Sequence, residues 1–395
     1  MIINMEKRYK FRIYPTAPQE LQIKKNFGCV RFIYNYYLNK RIEAYKEDKG
    51  ILTVNECCRD LTALKKTDGY EWLQEVDDNS LRSTIKELDL AYKKFFRNIK
   101  KGDTAPGFPK FKNRKQTKLS YKSKNNSTSS RDTHCIEIYE NEIKLPKLGL
   151  VKCKVSRKTE GRILSAAILK VPSGKYFVSV CCTEVEPPHL PKTGAEVGIQ
   201  MGVKNLAVTS DGKQFENHRF YEKTVRKIAR LQREMSRKSI DSNNREKARL
   251  KLACMYERLN NQKTDILQKI TTQLVREYDV ICVRDNQLKK MAKNRLFAKY
   301  LADAGWGTFA AQLEYKCNWY GKNFVKVSSL HPSAQICSSC GELNNEMKIK
   351  KHLYEWECSI CGAHHNRSVN AAVNILREGN KILLGKQEFT PAENM

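Results

Sequence analysis

Hydrophobic and polar positions change rhythm several times along this chain. "KRYKFRIYPT" alternates apolar and polar residues and stops at Pro15, which predicts a strand. From Pro18 to about Lys100 the spacing turns helical. Leu21, Phe27, Phe32, Tyr37 and Ile42 recur at helix-like intervals, as do Leu81, Ile85, Leu88, Tyr92, Phe95 and Ile99. Between Lys101 and Asp132 the pattern dissolves into a basic stretch rich in Gly, Pro, Ser and Asn, with isolated aromatics. It reads either as a linker or as an arm that tracks a nucleic-acid backbone, with Phe108, Phe111 and Tyr121 packing on bases or sugars. Short β segments follow, "CIEIYENEIKLPKLGLVKCKV", "ILSAAILKV" and "KYFVSVCCTEV", and suggest a small antiparallel barrel completed by the first strand. The prolines and glycine of "EPPHLPKTG" mark a boundary.

The second half opens with "AEVGIQMGVKNLAVTSDGKQ", a strand, a tight connection, a second strand and a turn. A charged helical stretch runs from about Tyr221 to Glu277. "YDVICVRDNQL" has the short apolar run of a buried central strand. "WGTFAAQLEYKCNWYGK" places Phe309, Leu313, Cys317 and Tyr320 on one helix face, "FVKVSS" is another strand, and "SVNAAVNILREGNK" another helix. This order suits an RNase H-like α/β layer. The last residues, 383–395, read as a frayed tail.

A length of 395 residues predicts two or three domains, and 40% hydrophobic content is enough for real cores. No run of about 18 apolar residues occurs and the N-terminus lacks a signal-peptide core, so a cytoplasmic protein without a membrane partner is expected. Charge changes the picture more. Lys+Arg number 73 against 43 Asp+Glu, a formal net charge of +30 spread along the chain. Self-repulsion on that scale destabilises a compact fold unless a polyanion neutralises it, so nucleic acid is the expected partner.

Of 14 cysteines, ten are scattered and fit small buried hydrophobes of a reduced protein. The other four, Cys337, Cys340, Cys358 and Cys361, form two C-x2-C pairs separated by 17 residues. Two such knuckles aim four thiolates at one centre, the pattern of structural zinc with no open coordination position. Gly341 and Gly362 follow the pairs where a knuckle often needs positive φ. With four cysteines present, His364 and His365 are read as non-ligands.

Seven blocks in order resemble the TnpB (OrfB) family of transposon-encoded RNA-guided DNA nucleases, relatives of the type V CRISPR effectors. They are "YKFRIYPT", "GCVRFIYNYYL", "FPKFKNR", "VGIQMGVKNLAVTSDG", "DVICVRDNQL", "AGWGTFAAQLEYKCNWYGK" and "HPSAQICSSCG…WECSICGAHHNRSVNAAVNIL". The resemblance implies an α/β multidomain protein. Residues 1–17 and 101–190 would form a β-barrel wedge, 18–100 a helical recognition domain, and 195–330 with 363–382 a RuvC-type domain. Residues 331–362 would be an inserted zinc ribbon. It also implies contacts to guide RNA or DNA by Tyr34, Asn35, Tyr36 and Lys40, by Arg12, Lys110, Lys112, Arg114 and Lys118, and by Lys204 and Asn205. Each of these is equally readable as an ordinary surface residue.

The acidic positions of the family pattern differ here. Gln200 stands at the first, Arg284 at the second, and Asn366 and Ser368 at the third. Two-metal phosphodiester hydrolysis uses carboxylates to hold cations about 3.5–4 Å apart. Replacing about three negative charges by about one positive charge predicts a pocket that repels Mg²⁺. The expectation is therefore a nuclease-dead RNA-guided repressor, with structural zinc, no catalytic magnesium and no enzyme activity. It would bind guide RNA and double-stranded DNA as a monomer or dimer at a bacterial nucleoid. Two alternatives stay open: an endonuclease with a divergent site using Asp285 and outlying acids, and a zinc-ribbon regulator without a guide.

Overall fold

The computed structural model describes residues 5–47, 50, 52–102, 105–114, 118–125, 135–186, 188, 190–285, 304–344 and 353–388, the last three without their side chains. Parts of the basic arm at 101–132, the end of "DVICVRDNQL" and residues 389–395 lie outside them. The chain forms two compact units, one ending at Glu186 and one starting at Pro187.

In the first unit, strand β1 (Met5–Tyr14) buries Tyr9, Phe11 and Ile13 and leaves Lys10 and Arg12 outward, the alternation its sequence dictates. Helix α1 (Ala17–Lys46) starts where Thr16 and Gln19 form a reciprocal capping box and Pro18 is tolerated in the first turn. Helices α2 (Val54–Leu64) and α3 (Asp78–Lys100) follow. Thr53 caps α2, and the Asp77 carboxylate accepts the backbone N–H groups of Asn79 and Ser80 at the start of α3.

Strands β2 (Leu119–Lys124), β3 (Glu137–Ile138), β4 (Glu142–Leu145), β5 (Gly149–Lys154), β6 (Arg162–Lys170) and β7 (Tyr176–Val185) complete a seven-stranded antiparallel sheet in the order β2-β6-β7-β1-β5-β4-β3. Among the described residues no ladder joins β2 to β3. Helices and sheet share one core, where Phe27, Ile33, Leu38 and Leu81 meet Phe11, Tyr121 and Val178.

The second unit is a five-stranded mixed sheet, β10-β9-β8-β11-β12. Strands β8 (Glu196–Met201), β9 (Asn205–Thr209) and β10 (Gln214–Glu216) form antiparallel pairs. Strands β11 (Val280–Arg284) and β12 (Asn323–Val327) run parallel to β8. The charged stretch expected as one helical run is two helices, α4 (Phe220–Ser236) and α5 (Asn243–Glu277). Asp241 at φ 65° breaks the run, and the Ser242 hydroxyl caps α5 by accepting the Arg245 N–H.

Helices α5 and α6 (Trp306–Tyr320) cover one sheet face, with Leu274, Phe309 and Leu313 against Val197, Ile199, Ile281 and Val283. Helix α7 (Arg367–Glu388) covers the other, with Ile375 against Val280, Cys282, Val325 and Val327. It runs further than the frayed tail expected from residue 383, because Ile382 and Leu383 also pack on that cluster. A short hairpin, β13 (Glu355–Glu357) with β14 (His364–Asn366), precedes α7.

Candidate metal centre and adjoining sheet-end site

The four cysteines of the two knuckles converge. Cys337, Cys340, Cys358 and Cys361 place their sulfurs within 4.8 Å of one another. Cys337 and Cys361 Sγ are 3.7 Å apart and Cys340 and Cys358 Sγ 3.8 Å apart. A tetrahedron with Zn–S bonds of ~2.3 Å has edges of ~3.8 Å, so the cluster has the dimensions zinc requires. Gly341 and Gly362 take φ of 83° and 69°, which lets each knuckle turn. Backbone N–H groups of Cys361 and then Ile360 aim at Cys358 and pull its thiol down to about 7. Such donors favour the thiolate form that binds metal. His365, read as a non-ligand, lies with Nε2 3.0 Å from Cys337 Sγ, and its ring packs on Trp356. That contact suits a ring N–H donated to a coordinated sulfur.

Seven of the remaining ten cysteines are buried as small hydrophobes. Cys29, Cys57, Cys153, Cys181, Cys182, Cys282 and Cys317 are buried, Cys58 and Cys135 half-buried, and Cys254 is exposed.

The knuckles are tied to α7 by two asparagines. Buried Asn370 accepts the Ser338 N–H and donates to the Ile336 carbonyl. Asn374 donates to the carbonyls of Ser333 and Ile336. The next residues explain the small side chains of "NAA". A Cβ on Gly198 would lie 2.0 Å from the Ala372 carbonyl oxygen, so β8 and α7 touch backbone to backbone.

This contact fixes where the sequence-selected positions fall. Gly198 and Cys282, paired across β8 and β11, face α7, while Val197, Ile199, Ile281 and Val283 face α5 and α6. By strand alternation Gln200 and Arg284 share the α7 face at the carboxyl ends of their strands, and Asp285 points the other way. Ser368 lies one turn before Ala372 on α7. The topology thus brings Gln200, Arg284 and Ser368 to one region of the sheet.

The Gln200 amide donates to the Met201 carbonyl at 3.0 Å. The Arg284 guanidinium donates to the Ser329 carbonyl at 2.6 Å, and burial pushes it below its usual range. Asn366 is a helix cap: its carbonyl oxygen accepts the N–H groups of Ser368 and Val369 at 3.0 and 3.3 Å. Two residues missed from the sequence join this region. His331, whose Nε2 is buried with no hydrogen-bond partner among the described residues, lies within electrostatic reach of Arg284 and of Glu378 and Lys381 on α7. His331 opens the "HPSAQICSSCG" block and Glu378 lies two residues beyond the end of that seventh block, but neither was given a role from sequence.

The residues assigned to nucleic-acid contact separate into two groups. Tyr34 is buried beneath the Lys112 ammonium, 3.9 Å from its ring centroid. The Asn35 amide clamps the Lys112 backbone through both of its polar atoms, at 2.9 and 2.8 Å. Tyr36 packs among Phe32, Tyr37 and Tyr70, and Lys40 pairs with Asp60 at 2.7 Å. The Asn205 amide donates to the Gln214 side chain. Arg12, Lys110, Arg114, Lys118 and Lys204 are exposed, with Arg12 over the Tyr14 ring and Lys204 over that of Tyr354.

The described chain superposes on the protein of a Cas12f1–sgRNA–target DNA complex solved by cryo-EM, with a TM-score of 0.61. That match has 14% identity and covers 94% of this chain and 98% of the other. Three family models match by sequence. They are the OrfB family of IS605, described as "Probable transposase", at residues 179–295, a "Helix-turn-helix domain" at 1–50, and a "Cas12f1-like, TNB domain" at 306–375.

A "Putative RNA-guided DNA endonuclease" of Streptomyces pristinaespiralis is 31% identical over 382 residues, 96% of this chain and 90% of the relative. InsQ of Escherichia coli K12, named in the same words, is 28% identical over 95% of this chain and 92% of its own length. The chain belongs to the TnpB/OrfB family of RNA-guided DNA endonucleases.

These relatives correct one expectation. The substitutions at Gln200, Arg284, Asn366 and Ser368 were read as a chain that is no enzyme, yet relatives aligned over nearly its whole length are named endonucleases, which points to nuclease activity. The inference counted ligands in three sequence motifs only.

Proposed function

We propose that this protein recognises double-stranded DNA through a bound guide RNA. The guide is made from its own locus, a short motif beside the target is read by the protein, and one DNA strand pairs with the guide. In such complexes base pairing reads the sequence while the protein reads duplex shape. The observation that carries the reading is the near-full-length likeness to a protein named for RNA-guided DNA endonuclease activity. The charge of +30 and the exposed Arg12, Lys110, Arg114, Lys118 and Lys204 support it as cationic contacts for phosphates.

In this reading the second unit is a RuvC-type layer, the first a wedge with helical recognition elements, and the four cysteines hold a structural zinc ion. The metal, when bound, fixes the two knuckles; Asn370 and Asn374 then hold α7 against them. Occupancy of a promoter by the resulting R-loop would exclude RNA polymerase, whether or not a strand is then cut.

The test is expression of the chain with its flanking locus, followed by sequencing of the RNA that co-purifies. One structured RNA with a variable end is expected; a mixed population of cellular RNA overturns the reading. The same complex is then given matched DNA with Mg²⁺ or Mn²⁺, and strand cleavage, the activity in the relatives' names, is read on a denaturing gel.

A further inference from the structure

Helix α4 and its C-cap residue Arg237 carry a straight row of cations that the site described above does not use. Lys223, Arg226, Arg230, Arg233 and Arg237 follow one another at steps of three and four residues. At 100° per residue all five fall opposite Ile228, the residue that α4 buries against Leu252 and Leu259 of α5. All five are exposed, and none has an ion pair or hydrogen bond from its side chain among the described residues. The two acids of the helix lie at the edges of the row, and Glu222 is turned to Arg219 at 3.7 Å. The row spans about 21 Å at 1.5 Å per residue.

Like charges at these spacings oppose helix formation. Here four successive pairs stand unrelieved, on a hairpin whose own core is small. A surface of this kind fits a polyanion with regularly spaced charge. An RNA stem meets that need best, because its sequence-independent features are phosphates along a stiff duplex. A resident guide would also neutralise the row throughout the protein's life, which a transiently bound target DNA would not.

We propose that the α4 row is a docking rail for the phosphate backbone of a double-stranded stem of the guide RNA. The assignment rests on the RNA-guided reading. Its test uses the full chain, with all five residues changed to Gln in one variant and the four arginines changed to Lys in another. The probes are an RNA hairpin and a DNA duplex of equal length, with affinity measured from 50 to 300 mM salt.

Each lost phosphate contact lowers the slope of log K against log salt by about 0.7–0.9. The Gln variant is expected to lose about 3.5–4.5 units of slope on the RNA hairpin, and the Lys variant to keep it, since point charges suffice. An unchanged slope on RNA overturns the rail, as does a loss confined to the DNA duplex. Circular dichroism melting of both variants shows that the hairpin is folded. If the wild-type protein carries no guide after purification, the RNA-guided reading fails, while the slope on the defined hairpin still decides the rail.

Discussion

Single residues set both the metal centre and an internal electrostatic stress. Cys337 is fully buried and hydrogen-bonded to His365, so it cannot leave the cluster without opening the knuckle. The purified protein is expected to hold about one zinc per chain, and Cys337→Ser to hold almost none, by elemental analysis. Lys316 is the opposite case, a buried cation with no carboxylate partner among the described residues. Its ammonium donates to the Gln268 carbonyl and to the Thr271 and Thr272 hydroxyls, and burial lowers its pKa from 10.5 to about 8. Below pH 8 folded and unfolded chains both hold the proton, and the full penalty of burying the charge is present. Between pH 8 and 10.5 the folded chain releases the proton while the unfolded chain keeps it, so this group's contribution to stability rises with pH. Lys316→Met is expected to remove that rise, seen as a flatter denaturant midpoint from pH 8 to 10 than in wild type.

At the scale of elements, what a strand or helix tolerates depends on what crosses it. Gly198 of β8 meets α7 backbone, so Gly198→Ala has nowhere to place its Cβ and is expected to lower stability by at least about 1–3 kcal/mol. Gly28, inside α1, has open space where a Cβ would go, so Gly28→Ala should raise stability by about 0.5–1 kcal/mol. Thermal melting of the pair, side by side, separates crossing contact from helix propensity. The sequence showed both glycines but not this difference, because helix α7 reaches Gly198 from more than 170 residues away. Local signals were legible: the alternation of β1, the periodicity of α1 and α3, and the spacing of the knuckles. The break between α4 and α5 was missed: "SIDSNN" carries turn-forming residues, but the charged periodicity on both sides masked them. The neighbourhood of Arg284 was not legible. His331 and Glu378 reach it only after β12 and α7 are laid on the same face of the sheet. The family was legible in the sequence all the same; the reading of three motif positions went wrong in expecting no enzyme.

For the whole molecule, charge connects stability to function. The described ion pairs are mostly single and exposed, such as Lys24–Glu20 and Lys269–Asp265, and pairs of that kind contribute little. They do not offset a net +30. Repulsion between exposed cations weakens as salt shortens the screening length from about 30 Å at 0.01 M to about 8 Å at 0.15 M. A polyanion relieves the same repulsion by direct neutralisation and adds binding free energy to the folded state alone. The protein stripped of RNA is therefore expected to melt at a higher temperature as salt is raised from 10 to ~150 mM. The RNA-loaded protein should melt higher than the stripped one at low salt, and its advantage should shrink as salt weakens RNA binding. Melting curves of the two forms across that range test this. Parallel, salt-independent curves would mean that the basic surface is not under electrostatic strain, and would remove the physical reason for a resident nucleic acid.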